Sequence, residues 1–341
     1  MPVKESVKAI IMFSGGLDST LAAKMMLEQG IDLLALHLTS PFCTCDRRKS
    51  GCRPASVLMA EQLGVRMVTV AKGKDYFKII KNPRYGYGSA LNPCIDCRIY
   101  GLEKAKEKME EEGAKFIVTG EVLGQRPMSQ MRKVLQLIER KSGLQGAILR
   151  PLSAKHFPLT IPEMEGWVDR RKLLEIVGRS RKDQMELAKK YDLKDYPCAA
   201  GGCLLTDKMF APRLKDLFNH CADPETYDFN ILKIGRHLRL SSGEKLIIPR
   251  SEMENKRIEF VGKGKIILIY PSGFPGPVIG VKDTNSSIPR KEIAMAFKRY
   301  AKKIRGPYPV SVLYPDGKNE NITIRTVRDF NPKELEEYMI K

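Results

Sequence analysis

Short apolar runs alternate with helical patterns through the first part of the chain. Four runs read as buried strands, at residues 8–13, 32–38, 65–70 and 114–120. Between them, apolar residues recur at three- and four-residue spacing and end at Gly, which is typical of amphipathic helices. The same spacing predicts further helices over 169–178 and 181–190. Strand–helix alternation of this kind predicts a parallel sheet covered by helices.

The pattern changes after about residue 205, where apolar runs are short and separated by turn signals such as "PSGFPGP" and "PDGKNEN". Predicted antiparallel strands occupy residues 245–249, 258–262, 265–270, 309–314 and 321–327. One helix is predicted over 289–306, because it starts at Pro and stops at Gly. The sequence therefore predicts an α/β domain over 1–205 and a smaller α+β domain over 206–341.

Composition narrows the class of protein. The chain has 341 residues, 43% hydrophobic and 29% charged, and no apolar run approaches the length of a membrane helix. The amino terminus lacks a signal-peptide pattern, so we expect a cytoplasmic protein with no membrane association. The net charge of +19 divides into +11 before residue 206 and +8 after it. A field of that sign favours a polyanion such as nucleic acid, although a lysine-rich thermophile surface would give the same charge.

The first predicted strand runs directly into "SGGLDST", residues 14–20, and then into a helix. Gly15 and Gly16 allow backbone N–H groups to close on an anion, and the helix amino terminus adds its dipole. Asp18 beside a phosphate makes sense mainly as a magnesium or amide anchor. The stretch is neither a Walker loop nor a dinucleotide fingerprint.

"SGGLDST" resembles the SGGxDS signature of PP-loop ATP pyrophosphatases, which cleave ATP to AMP and pyrophosphate. The resemblance implies a Rossmann-like parallel sheet of the adenine nucleotide alpha hydrolase type. The ATP site predicted on this basis comprises Ser14, Gly15, Gly16, Asp18, Ser19, Thr20, Leu38, Gly120 and Gln125. Asp18 is its predicted catalytic residue, together with Mg²⁺.

A second stretch, "VTGEVLGQRPMSQ" at 118–130 followed by "ILRPL" at 148–152, is similar to a run in tRNA 4-thiouridine synthases. Physically, Thr119 and Gly120 end a parallel strand at the sheet edge where ligands collect. The resemblance implies that a uridine oxygen is adenylated and then replaced by sulfur.

Two cysteine motifs raise the question of how sulfur is handled. "NPCIDCR" at 92–98 resembles the "NPDxxCN" of tRNA-specific 2-thiouridylases, which makes Cys97 catalytic, and "AAGGCLLTD" loosely matches their second motif at Cys203. With Cys94 in place of Asp, the set Cys94, Cys97 and Cys203 resembles the triad of iron–sulfur-dependent tRNA thiolases. Ligands of a [4Fe-4S] cluster, a Cys97–Cys203 persulfide pair, and zinc or inert thiols all remain open.

A further cluster, "CTCDRRKSGC", contains Cys43, Cys45 and Cys52 just after the second strand. Three thiols with no evident fourth ligand allow a second metal site such as Zn²⁺, a sulfur relay, or simple packing.

Residues 231–260 resemble the RNA-binding segment of NFACT proteins. The predicted helix over 289–306 carries a dense run of cations that would neutralise phosphates without reading sequence. The predicted RNA-binding residues are Arg236, Arg239, Lys298, Arg299, Lys302, Lys303 and Arg305.

These patterns together predict an ATP-dependent tRNA sulfurtransferase with tRNA and a sulfur donor as partners. The donor is sulfide, a cysteine desulfurase or a carrier protein. Two alternatives stay open: a PP-loop ligase or amidotransferase for a small molecule, and a non-catalytic RNA-binding protein. The first leaves the basic second domain unexplained, and the second predicts a damaged phosphate loop. The oligomeric state stays open, a homodimer included.

Overall fold

The computed structural model describes residues 6–44, 54–194, 196, 202–284, 288–301, 304–325 and 332–341. The chain divides into two compact units, Met1–Thr206 and Asp207–Lys341. Among the described residues, no helix combines the length and apolar character needed to cross a membrane.

The first unit is an α/β layer structure. Its elements are β1 Lys8–Met12, α1 Leu17–Leu27, β2 Asp32–Thr39, α2 Ala55–Leu63, β3 Arg66–Ala71, α3 Lys74–Lys81, α4 Cys94–Glu111, β4 Phe116–Thr119, α5 Arg132–Ser142, β5 Ile148–Leu149, α6 Ile161–Met164 and α7 Lys182–Lys190. The five strands form one parallel sheet in the order β3-β2-β1-β4-β5. The predicted Rossmann-like fold is therefore confirmed, with the order reversing between β1 and β4.

Alternation along β1 separates two apolar cores. Ala9 and Ile11 belong to a cluster with residues of α1, α2 and α7, whereas Ile10 belongs to a cluster with residues of α4 and α5. Because successive side chains of a strand point to opposite faces, helices must cover both faces of the sheet. The carboxyl edge of the strands is left to carry loops, and a ligand site is expected there.

The predicted helix over 169–178 is wrong. Only a short 3₁₀ turn forms there, at Arg170–Lys172. Beyond it the chain is extended, because Leu174 N donates to Pro151 O at 2.9 Å and Ile176 N donates to Leu152 O at 2.8 Å. Leu173 and Ile176 are buried in this extended form, so tertiary pairing overrides the local helical spacing.

The second unit contains a six-stranded antiparallel sheet in the order β11-β10-β8-β9-β7-β6. Its elements are α8 Ala211–His220, α9 Thr226–Ile231, β6 Arg236–Arg239, β7 Lys245–Ile248, α10 Glu252–Gly262, β8 Ile267–Pro271, β9 Ile279–Lys282, α11 Arg290–Tyr300, β10 Tyr308–Leu313, β11 Asn319–Ile324 and α12 Pro332–Glu337. The predicted strand class is confirmed, while β6 and β9 were not anticipated.

One prediction in this unit is wrong, and another places the end of a helix too late. Residues 258–262 are the last turns of α10 and not a strand, because Ser251 caps the helix by accepting from Glu254 N at 3.2 Å. The predicted helix over 289–306 ends at Tyr300, since the next residue, Ala301, is extended and buried in the core. Arg305 therefore lies beyond the end of that helix.

Candidate active site

The phosphate loop lies between β1 and α1, and its hydroxyls are organised before any ligand arrives. Ser19 Oγ donates to Gly16 O at 2.9 Å and lies 3.2 Å from Ser14 Oγ. Thr20 N and Thr20 Oγ1 both approach Gly16 O at 3.0 Å. This arrangement starts α1 at Leu17 and leaves the loop backbone at the positive end of a helix dipole.

Two glycines are required by close backbone approach. Gly15 has a φ of +70°, and a Cβ there would lie 2.4 Å from Ser56 Cα in the first turn of α2. A Cβ on Gly120 would lie 2.5 Å from Ser19 N. The loop after β4 therefore touches the start of α1 directly, and both loops border the point where strand order reverses.

Asp18 links three segments of the first unit. Its Oδ2 accepts from Gln125 Nε2 at 3.2 Å and lies 4.0 Å from Arg181 Nη2, just before α7. The segment before Arg181 is held in place because Gly178 N donates to Leu123 O at 2.7 Å. Asp18 Oδ1 and Arg181 Nε are buried without a hydrogen-bond partner among the described residues. Buried polar atoms of this kind call for a bound ion, ligand or water.

A buried ion network supports the loop after β4. Glu121 Oε2 accepts from Arg150 Nε at 3.1 Å, and Glu121 Oε1 lies 3.4 Å from Arg98 Nε. Burial alone would raise the pKa of Glu121, but Arg98 and Arg150 hold it below its ordinary value. Glu121 therefore stays ionised and holds Arg98 and Arg150 in place near the carboxyl edge of the parallel sheet.

Cys97, in the first turn of α4, carries two donors on its sulfur. Lys72 Nζ lies 3.1 Å from Cys97 Sγ, and Tyr76 OH lies 3.2 Å from the same atom. Lys72 Nζ also lies 4.3 Å from the centre of the Tyr76 ring. Burial and the charge of Cys97 raise the pKa of Tyr76, so the phenol remains a donor. The Cys97 sulfur therefore accepts hydrogen bonds from a lysine and a phenol at once.

Cys43 and Cys203 face each other across a short antiparallel bridge. Leu204 N donates to Phe42 O at 2.8 Å and Thr44 N donates to Gly202 O at 3.2 Å, which fixes this register. Burial, followed by the charges of Cys97 and Cys43, raises the pKa of Cys203 to about 12, against a lowering from the backbone at Leu205. Cys43, Cys97 and Cys203 thus share one half-buried site around Tyr76.

Cys94 has different surroundings from the other three thiols. A Cβ on Gly88 would lie 3.3 Å from Cys94 Sγ and 3.1 Å from Met128 Sδ. Burial and Cys97 raise the pKa of Cys94, while Arg98 and Arg126 act in the opposite direction. Among the described residues, no three Cys, His, Asp or Glu side chains are grouped as metal ligands, and Cys94, Cys97 and Cys203 are all described. The iron–sulfur ligand set of Cys94, Cys97 and Cys203 therefore stays a prediction.

The other predicted residues of this unit fall into two groups. Leu38, at the carboxyl end of β2, packs against α4, since a Cβ on Gly101 would lie 3.2 Å from its Cδ1. Cys45 and Cys52 lie outside the described residues, so the second metal site stays a prediction. Sequence patterns did not find Lys72, Tyr76 and Arg181, because lone residues without a motif carry no signal until the fold places them. Arg98 ends the NPCIDCR motif, but its role beside Glu121 depends on the fold.

The predicted RNA-binding residues of the second unit differ in their contacts within the protein. Arg239 forms a two-bond pair with Asp216 at 2.9 and 2.8 Å and also reaches Asp283 at 2.9 Å. Arg236 lies over the Tyr300 ring at 4.6 Å, and Arg299 pairs with Glu336 at 2.5 Å. Lys298 is exposed at the end of α11, and Arg305 follows that helix. Lys302 and Lys303 lie outside the described residues.

A parallel sheet with a glycine-containing phosphate loop after its first strand, at the point of strand reversal, defines a nucleotide-binding α/β domain of the PP-loop type. Residues 4–156 match the family described as Thiamine biosynthesis protein (ThiI). Residues 235–339 match the family described as NFACT protein RNA binding domain. The predicted resemblances to PP-loop thiouridine synthases and to NFACT proteins are thereby confirmed.

The similar proteins are related over part of their length. A probable tRNA sulfurtransferase of Staphylococcus aureus (strain Newman) is 29% identical over 128 residues, which are 37% of this chain and 30% of that protein. The chain thus spans about a third of the length of the curated relatives it matches. The same match recurs in the Mu3 strain of that species.

Two solved structures are similar at a lower level. A 4-thiouridine synthetase–RNA complex with bound ATP is 20% identical, with a TM-score of 0.37 over 59% of this chain and 46% of that one. A predicted tRNA methyltransferase subunit from Methanocaldococcus jannaschii is 14% identical, with a TM-score of 0.33 over 54% and 74%. These scores are too low to carry an argument, so the assignment depends on the family matches.

Proposed function

We propose that the protein is an ATP-dependent tRNA sulfurtransferase, which adenylates a uridine carbonyl oxygen and replaces it with sulfur. One observation carries the proposal: a sulfur with two donors, Cys97, and a phosphate loop stand at the same edge of one parallel sheet. The name of the Staphylococcus aureus relatives, tRNA sulfurtransferase, supports tRNA as the substrate.

The topology explains why both groups reach this edge. The phosphate loop follows β1, Cys43 follows β2 and Lys72 follows β3. Cys97 starts the helix that leads from β3 to β4, so it too lies at the carboxyl ends of the strands. In open parallel sheets these ends form the crevice that binds ligands. ATP over α1 and a sulfur-bearing cysteine at α4 would therefore meet a base entering from this side.

The adenylation step uses the first group of residues. The loop N–H groups at Gly15 and Gly16 would hold ATP phosphates, and Arg181 would add a positive charge beside them. Asp18 Oδ1 fits Mg²⁺, because it is buried, unpartnered and an oxygen ligand. Mg²⁺, when bound, neutralises phosphate charge. The uridine oxygen attacks the α-phosphorus, pyrophosphate leaves, and the carbonyl carbon gains a good leaving group.

The sulfur step uses Cys97 and Cys203. We propose that Cys97 receives sulfur from the donor as a persulfide, with Lys72 and Tyr76 stabilising its charge. The terminal sulfur attacks the activated carbon and AMP leaves. The Cys203 sulfur then loses its proton and attacks Cys97 Sγ, which releases the thiocarbonyl and leaves a Cys97–Cys203 disulfide. An external thiol reductant restores both cysteines.

We route no step through an iron–sulfur cluster, because the described thiols are not grouped as its ligands. In this step the sulfur donor is the persulfide of a cysteine desulfurase or carrier protein: the Cys97 thiolate attacks its outer sulfur, and the donor's own thiolate leaves. Free sulfide would not serve here, since it lacks the oxidation level of a persulfide. We place the reaction in the cytoplasm, where reducing conditions keep thiols free.

The second unit would hold the tRNA. It carries 25 Lys and Arg against 17 Asp and Glu, and its family is described by RNA binding. Lys298, Arg299 and Arg305 remain in this proposal, with Lys302 and Lys303. Arg239 does not, because two carboxylates already occupy its guanidinium.

The test is product analysis with tRNA, ATP and a persulfide donor. We expect AMP and pyrophosphate together with thiouridine, detected by nucleoside mass spectrometry. Asp18→Asn should abolish all three products at unchanged circular dichroism, whereas Asp32→Asn, at the opposite edge of the sheet, should not. Release of ADP and phosphate without AMP would overturn the adenylation step. Mass spectrometry of tRNA from a deletion strain then identifies the modified position.

A further inference from the structure

Helix α10 presents an exposed apolar face in the second unit. Ile258 and Gly262 are buried against the sheet side, in a cluster that includes Ile266 and Leu268. On the other side, Phe260 is 89% exposed and Met253 is 80% exposed. These are the two most exposed large apolar side chains among the described residues. They stand seven residues apart, which is two helical turns, so they lie on one face.

Cations occupy the positions between and beyond these two side chains. Lys256 and Arg257 lie three and four residues after Met253, and Lys263 lies three residues after Phe260, just past the helix end. All three are exposed. Lys256 Nζ lies 3.1 Å from Glu252 Oε1. Because this ion pair is exposed to solvent, it contributes little to folding stability. Within the described residues, Arg257 and Lys263 have no carboxylate partner.

In the part of this unit that the structure describes, the Phe260 ring belongs to neither hydrophobic core cluster. Phe has lower helix propensity than Lys, Glu or Ala, and exposure forfeits the roughly 1.5–3 kcal/mol that burial of such a side chain supplies. The ring therefore costs the helix a little and returns nothing to the core. A surface ring among cations is the arrangement that stacks nucleobases and neutralises the adjoining phosphates.

We propose that the face formed by Met253, Lys256, Arg257, Phe260 and Lys263 binds an unpaired stretch of RNA, with a base stacked on Phe260. This rests on the proposed function of the second unit as an RNA-binding unit. A base inside a duplex hides both of its faces, so the site selects single-stranded or loop nucleotides. A second copy of the chain fits less well. Two apolar side chains expose on the order of 400 Å², about half of what one partner contributes to a stable interface, and the like-charged rows would face each other.

The test measures binding of the full-length protein to labelled oligouridine by fluorescence anisotropy over a range of salt concentrations. Phe260→Ala should weaken binding about tenfold, because stacking contributes about 1–3 kcal/mol per base. The slope of affinity against salt should stay unchanged, since no cation is lost. Phe260→Leu should behave like Phe260→Ala, whereas Phe260→Trp should bind at least as well as the wild type. These three variants separate stacking from simple apolar contact.

Further variants test the contribution of the cations and of exposed apolar side chains in general. Lys256→Gln with Arg257→Gln should reduce the salt slope by about 1.4, the value for two contacts with a single strand. Met209→Ala removes another exposed methionine of the same unit, at 67% exposure, and should leave binding unchanged. A blunt duplex RNA should bind Phe260→Ala and the wild type equally.

The outcomes separate this inference from the proposed function. Equal binding of oligouridine by the wild type, Phe260→Ala and Phe260→Leu overturns the inference and leaves the sulfurtransferase proposal intact. Failure of the wild type to bind either oligouridine or tRNA overturns RNA binding as a whole. A change of oligomeric state in Phe260→Ala, seen by sedimentation with unchanged RNA affinity, assigns the face to self-association and also overturns the inference.

Discussion

Lys72 Nζ lies 3.1 Å from Cys97 Sγ, and the two residues belong to different segments that meet at the carboxyl edge of the sheet. Lys72 follows β3, whereas Cys97 lies in the first turn of α4. The contact places the positively charged Lys72 ammonium group beside the sulfur of Cys97, which the NPCIDCR motif predicts to be catalytic. Tyr76 OH approaches the same sulfur at 3.2 Å, so the sulfur has two donors before any substrate binds.

This contact predicts the reactivity of Cys97. Lys72→Met should slow alkylation of Cys97 by iodoacetamide about tenfold at neutral pH, since a hydrogen bond to a charged group contributes about 1.5 kcal/mol. Peptide mass spectrometry at timed intervals measures the rate at this one cysteine. Lys78→Met, an exposed lysine of α3, is the matched control and should alkylate like the wild type. Equal rates in all three proteins would contradict a role for Lys72.

Gly15 in the phosphate loop can be compared with Gly30, a glycine outside the loop that also has a left-handed backbone conformation. Gly15 has a φ of +70° and Gly30 has a φ of +78°. A Cβ at Gly15 would meet Ser56 Cα at 2.4 Å, whereas a Cβ at Gly30 meets nothing within 4 Å. Gly15→Ala should therefore abolish ATP binding, measured by calorimetry, while Gly30→Ala should cost only about 1 kcal/mol of folding stability. ATP binding by Gly15→Ala would show that the loop does not hold phosphate.

The bridge between Cys43 and Cys203 predicts which thiols cross-link. Directly opposed residues of antiparallel segments have Cβ atoms about 4.5–5.5 Å apart, within reach of dibromobimane. We expect a Cys43–Cys203 cross-linked peptide in the wild type and in Cys94→Ser, detected by mass spectrometry. Cys43→Ser should lose it. A dominant Cys94–Cys203 product would instead favour the triad predicted from the sequence.

The second unit contains a buried ion network whose stability should depend on pH. Burial alone would raise the pKa of Asp216, but hydrogen bonds from Arg239 and Lys245 lower it to about 2. Because the folded pKa lies below the unfolded value of about 3.9, this stabilisation is complete above pH ~4 and is lost as the pH falls towards 2.

Asp216→Asn should therefore destabilise the second unit by about 3 kcal/mol at neutral pH and flatten its acid dependence between pH ~4 and 2. Lys245 would then be buried beside Arg239 without its carboxylate. Hydrogen exchange of β6 and β7 in the full-length protein measures the change. Glu252→Gln removes a carboxylate from an exposed pair and should have little effect. An unchanged acid profile in Asp216→Asn would assign the acid sensitivity elsewhere.

Local patterns determined much of this protein. Strand–helix alternation and the SGGLDST stretch predicted the parallel sheet and the phosphate loop, because both depend on residues adjacent in the chain. The cysteine motifs likewise identified Cys97 and Cys203 as members of one site. Short patterns failed where neighbours in space decided the outcome. Residues 258–262 alternate like a strand, yet five residues cannot distinguish a period of 2 from 3.6, and the cap at Ser251 makes them helical.

Only the tertiary structure decided which thiols and cations surround Cys97. The segment that follows β2, residues 42–44, pairs with residues 202–204. This pairing brings Cys43 next to Cys203, although 160 positions separate them in the sequence. Lys72 and Tyr76 belong to no motif and gain their role from the meeting of β3 and α4. The sequence also could not show that Arg239 is bound to Asp216 or that Phe260 faces solvent. Such facts depend on long-range packing, which residue spacing does not encode.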